Sequence, residues 1–214
     1  MFKMKEPVNT VTHLIGALLS IVAMVFMIIK GVGNGSVMQT TSAVVFGISL
    51  IALYTASTVY HWVPSSEKLR GILRRIDHSM IYILIAGTYT PVCLLALKGT
   101  LGWTLFGVIW SLALMGIIMK LVWFSAPRWL YTSFYLILGW MAIFFIVPLY
   151  KALPIQGFVW LLIGGLMYSV GAVIYGTKSK RIQLSVFGFH EIFHVFILAG
   201  SFAHVVMVER FILI

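Results

Sequence analysis

The chain has 214 residues, 61% of them hydrophobic and 9% charged, against roughly 25% charged in a soluble domain, so water cannot be the solvent for most of its surface. The apolar content excludes disorder, and a single cysteine, Cys93, excludes a disulfide-stapled fold. The net charge of +10 comes without a basic stretch interleaved with exposed aromatics, which argues against a nucleic-acid surface and for loops that face anionic lipid.

Seven runs of about 20 residues are apolar on every face, the pattern of membrane-spanning helices rather than of alternating barrel strands. They cover 10–29, 41–62, 78–97, 101–119, 129–149, 155–175 and 188–209. The first follows Lys3 and Lys5 and ends in IIKGVGNG, with no small-x-small cleavage pattern, so it reads as a retained helix rather than a signal peptide. At its start, EPVNTVTHLIG sets Glu6, Asn9 and His13 on one helical face. Asn9 or Thr10 is expected to cap this helix, with His13 bonded to a neighbour.

The second run ends ASTVYHWVP, with Ser57 and His61 one turn apart and Pro64 closing the helix. The plain alternative is that Ser57 bonds back to its own helix while His61 meets headgroups. A basic stretch from Lys68 to Arg75 follows, and then Asp77 at the start of the third run, either as a helix cap or as a working carboxylate. His78, beside it, points elsewhere and receives no role. In the middle runs Trp110 and Trp140 are expected to pack inside the bundle, while Trp62, Trp103, Trp123, Trp129 and Trp160 mark the membrane interfaces. Pro91 and Pro148 interrupt apolar stretches at unmatched positions, unlike the paired broken helices of an inverted-repeat transporter.

The seventh run opens FGFHEIFHVF, where His190 and His194 project from one face a turn apart and can hold one Zn²⁺. The same residues spell H-E-x-x-H, in which Glu191 would be the general base of a metalloprotease. An intramembrane protease of that kind takes its acidic third ligand from downstream, whereas Asp77 lies upstream. His204 is ten residues beyond His194, about 15 Å along the axis, too far to share the ion, and is expected to be an internal hydrogen-bond partner.

Lys3, Lys5, Lys68, Arg70, Arg74, Arg75, Lys120, Arg128, Lys178, Lys180 and Arg181 fall on one side of the membrane, against Lys30, Lys98, Lys151 and Arg210 on the other. The N-terminus is therefore expected in the cytoplasm and the C-terminus outside. Connections are short, so residues 1–214 are expected to form one seven-helix transmembrane domain. Glycine-rich LIGGLMYSVGAVIYG suits close packing within one bundle or between copies, leaving the oligomeric state open.

This topology sets His61, Asp77, His190 and His194 at one depth, near the inner face. Three imidazoles leave one position of a tetrahedral Zn²⁺ open, which is the arrangement of a catalytic site. Asp77 is then a ligand or general base for the water there, and Ser57 a donor to that water or to a developing oxyanion.

S-x-x-x-H at Ser57–His61, the aspartate in RRIDHSMIYILIAGTYTP and H-x-x-x-H in HEIFHVFILAGSFAH together resemble the hemolysin III family, the bacterial branch of the progestin and adipoQ (adiponectin) receptor-like proteins. EPVNTVTHLIGA is also typical of its bacterial members. The resemblance implies a plasma-membrane protein of seven helices with zinc on His61, His190 and His194, and with Asp77 and Ser57 around the metal. Because the wider superfamily includes alkaline ceramidases, it also implies a membrane lipid as substrate or ligand and hydrolysis of a lipid amide or ester. The alternatives are a pore-forming hemolysin and a receptor-like membrane sensor with a structural zinc.

Overall fold

The structure is a computed structural model that describes residues 4–123, 125–178 and 188–214. Lys3, Lys180 and Arg181, which enter the charge count above, lie outside the described residues. Among the described residues, seven helices are long and apolar enough to cross a membrane. They are α1 (Pro7–Gly33), α2 (Val37–Trp62), α3 (Glu67–Leu97), α4 (Gly99–Val122), α5 (Trp129–Ala152), α6 (Ile155–Thr177) and α7 (Phe189–Ile212). No strand occurs among the described residues.

Lipid dictates this inside-out distribution. Leu18, Leu19, Phe26 and Ile29 of α1 face outward, whereas the hydroxyls of Ser20, Thr58, Thr88 and Thr90 are buried and bond back to carbonyls one turn earlier in their own helices. Small residues let the backbones approach. A Cβ on Gly87 of α3 would collide with Ser49 of α2, and one on Gly116 of α4 with the Tyr82 ring of α3. Two interior clusters result. One joins α1, α2 and α7 around Phe46, Leu50, Tyr54 and Met207; the other joins α3, α4 and α5 around Tyr82, Ile109, Tyr135 and Leu138.

Two helices depart from the expected bounds in ways that matter for the site. Helix α3 begins at Glu67, eleven residues before the apolar run, and Ser66 caps it by accepting from the Leu69 N–H. EKLRGILRRI is an amphipathic stretch of nearly three turns whose charges lower its hydropathy without preventing a helix, so Asp77 lies well inside α3 and caps nothing. Helix α5 tightens to 3₁₀ geometry over Trp140–Phe145 before continuing through Pro148. Trp140 is not an interior packing residue: it is 38% exposed, and its indole N–H donates to Ser169 Oγ of α6 at 2.8 Å. Trp110 does pack inward, donating to Thr90 Oγ1 at 3.2 Å.

Candidate metal centre

The last turn of α2 and the first turns of α7 bring His61, His190 and His194 together. One ring nitrogen from each lies within 4.8 Å of the other two. The ring centroids form a nearly regular triangle with sides of 5.1, 5.0 and 4.7 Å. His61 Nε2 and His190 Nε2 are 3.3 Å apart. Two nitrogens bound to one tetrahedral ion at the usual ~2.05 Å are separated by about 3.3 Å, so this edge already has the size a metal requires. His61 and His194 are each only 1% exposed.

Outer contacts hold the rings of His61 and His194 in place. His61 Nδ1 donates to Glu6 Oε2 at 2.6 Å. Asn9 Nδ2 donates to the same oxygen at 3.2 Å and to Glu191 Oε1 at 2.9 Å, while Lys5 and Arg70 approach Glu6 Oε1 at 3.9 and 3.8 Å. The bond from His61 leads the influences that hold the Glu6 carboxyl down to about 2, so it stays ionised as the imidazole's partner. His194 is hydrogen-bonded to the Asn9 backbone, and Thr12 Oγ1 stands 3.5 Å from its Nδ1. His13 stacks face to face on His194 with centroids 3.6 Å apart, and neither of its nitrogens has a hydrogen-bond partner among the described residues. It packs the site rather than bonding a neighbour.

These contacts revise the expected roles of the first helix. Neither Asn9 nor Thr10 is a cap: both lie within α1, and the Thr10 hydroxyl bonds back to the Glu6 carbonyl. Glu191 is engaged on the far side of the centre, where its Oε2 accepts from the Gly188 N–H at 2.9 Å and its Oε1 from Asn9. That occupation speaks against Glu191 as a protease base.

Asp77 is outside the three-histidine group and 8% exposed, and Ser57, 1% exposed, is hydrogen-bonded to it. Both line a cavity that also touches His190 and His194. Lys120, a residue that charge counting leaves in a loop, is instead buried in the last turn of α4, with Nζ 3.6 Å from the Tyr131 ring centroid. It interacts electrostatically with Asp77. The sequence signal was present: one lysine enclosed by IIM and LVW cannot be an ordinary solvated loop residue. His78, left without a role above, also borders the cavity, with its carbonyl accepting from Tyr135 Oη at 3.0 Å.

The cavity runs from Asp77 and the histidine pair toward His204, between α3, α5, α6 and α7, with chiefly apolar walls. It reaches the lipid-facing surface between α5 and α6, where Trp140, Ile143 and Leu162 line it and are all exposed. A donor set of three neutral imidazoles suits zinc among several transition ions. With a metal absent, the site would leave converging nitrogens to satisfy one another.

Comparison with known proteins agrees with this architecture. A family model described as Haemolysin-III related matches residues 2–205. The "Hemolysin-3 homolog" of Bacillus subtilis (strain 168) is 46% identical over 204 residues, covering 95% of this chain and 92% of its own. The "Hemolysin-3" of Bacillus cereus is 44% identical over 204 residues, covering 94% and 88%. More distantly, the human "Monocyte to macrophage differentiation factor" is 26% identical over 178 residues, covering 81% and 71%. Seven apolar helices and the Bacillus relatives together mark a multi-pass protein of the bacterial plasma membrane.

Proposed function

The chain belongs to the Haemolysin-III related family, and on that footing we propose that it is a zinc-dependent membrane hydrolase acting on an acyl amide or ester of a membrane lipid. The observation that carries this reading is a three-imidazole set, two of whose members, His190 and His194, border one chiefly apolar cavity together with the buried carboxyl of Asp77. In it, His61, His190 and His194 hold the ion and residues 1–214 act as one seven-helix domain. The excess of Lys and Arg at the metal end supports a cytoplasmic N-terminus and an outer C-terminus.

When bound, zinc supplies a Lewis acid and a means of activating water at neutral pH. The protein's own groups do the rest. Asp77 takes the proton from a water that enters the cavity. Ser57, donating its hydroxyl proton to Asp77, orients that carboxylate and keeps lone pairs free to accept from the same water. The Trp140–Ser169 contact lies over the lateral mouth, so an acyl chain entering from the bilayer passes between α5 and α6 and lies along the apolar walls.

The test is lipid analysis of proteoliposomes before and after zinc removal, with wild type beside Asp77→Asn. Hydrolysis requires loss of an amide or ester lipid with wild type and zinc, and no loss with either omitted. Unchanged lipid in all arms contradicts it. The Bacillus relatives are named for hemolysis, which favours a second reading, membrane lysis, for which we propose a pore. Liposome leakage that persists after the histidines are replaced distinguishes it.

A further inference from the structure

We propose that the part of the cavity around His204, ten helical residues from the histidine triad, is a second, polar subsite, which binds a hydroxyl or carbonyl group on the far part of a ligand's chain. This rests on the acyl-chain reading of the cavity given above and adds to it a choice among chains.

The observations are independent of the metal. His204 borders the cavity, is 4% exposed, and its Nδ1 is buried without a hydrogen-bond partner among the described residues. A neutral imidazole offers one donor and one acceptor, and inside a membrane bundle an unused one is costly. Packing nevertheless holds this ring in place. A Cβ on Gly164 of α6 would lie 2.5 Å from His204 Nε2, so only a glycine there lets the imidazole lie against the α6 backbone. On α6 the neighbouring Tyr168 ring lies 5.3 Å from the imidazole, centroid to centroid.

The surroundings are polar by membrane standards. Tyr168 also lines the cavity, and its hydroxyl meets Ser201 Oγ at 2.8 Å; Tyr54 Oη donates to the same Ser201 oxygen at 2.6 Å. Thr88 of α3 lines the cavity too, eleven residues beyond Asp77 and so at a matching depth on its own helix. Between these groups and the triad the walls are mainly aliphatic and aromatic. The cavity thus has polar groups at the triad and again at the depth of His204, with apolar walls between them. Ten residues of helix separate His194 from His204, about 15 Å, on the order of an extended twelve-carbon chain. The ligand chemistry that matches is a chain anchored at the metal end and bearing a neutral oxygen function near its twelfth carbon.

The probes are dodecanoate and 12-hydroxydodecanoate, with octanoate and 8-hydroxyoctanoate as the short pair, titrated against purified zinc-loaded protein by calorimetry. Wild type should bind 12-hydroxydodecanoate about five-fold tighter than dodecanoate, the scale of one buried hydrogen bond, and show no such preference in the short pair. His204→Leu should keep its metal and lose the twelve-carbon preference. Equal binding of the two twelve-carbon probes by wild type overturns the subsite while leaving the acyl cavity standing. The same holds for a preference that survives in His204→Leu. Failure of all four probes to bind removes the acyl-chain reading itself, and the subsite with it. The wild-type comparison decides the matter even if the variant does not fold.

Discussion

Helix α7 carries histidines in two places, and they have opposite surroundings. At its start, His190 and His194 meet His61, and the two outer nitrogens of His61 and His194 are held by Glu6 and by the Asn9 backbone. Three turns further on, His204 has the same chemistry available and none of that support: its Nδ1 has no hydrogen-bond partner among the described residues, and the Tyr168 ring and Gly164 lie against it. Residue type alone does not make imidazoles converge. What distinguishes the triad is the set of outer contacts on His61 and His194, with a nitrogen of each left close to one of His190.

The comparison is broken most severely by removing a ligand at the supported end. His61→Ala should lower bound zinc from about one per chain to less than about a tenth, measured by elemental analysis after dialysis, because two imidazoles cannot replace three. Asp77→Asn should keep the metal and lower lipid turnover by about 10²–10⁴-fold, the range for a lost general base. Removing outer support without touching a ligand is gentler. Glu6→Ala should weaken zinc affinity about 10–100-fold in a competition titration with a chelator, with the seven-helix fold retained. Acid acts on the same end: zinc should be released as pH falls from 7.5 to 5, since the ligating imidazoles must be neutral and protons compete for all three. The smallest effect is expected at the other end of α7, where His204→Leu should leave zinc content unchanged.

Much of this was legible in the sequence for physical reasons that can be named. Lipid demands apolar residues on every face, so the seven spans are visible as runs, and H-x-x-x-H announces two imidazoles on one face. The start of α3 was hidden because EKLRGILRRI is helical but too charged to register as a span, and that error made Asp77 look like a cap. The clasp between α1 and α7 was illegible for a different reason. Asn9 and Glu191 are 182 residues apart, and nothing local to either says that one bonds the other. Glu6 was recognisable as sharing a face with Asn9 and His13, but its partner on α2 was not. For Lys120 the apolar flanks IIM and LVW were a legible sign of burial, whereas the Tyr131 ring that covers it shows only in the packing. Trp140 looked like an interior residue by its mid-span position, which says nothing about the side of α5 it occupies.

The central claim is that one ion sits among His61, His190 and His194, and metal analysis of the purified protein tests it most directly. Wild type should carry about one zinc per chain and His190→Ala/His194→Ala almost none, with both proteins equally helical by circular dichroism. A double variant that retains stoichiometric zinc, or a folded wild type that takes up none when zinc is supplied, would contradict it.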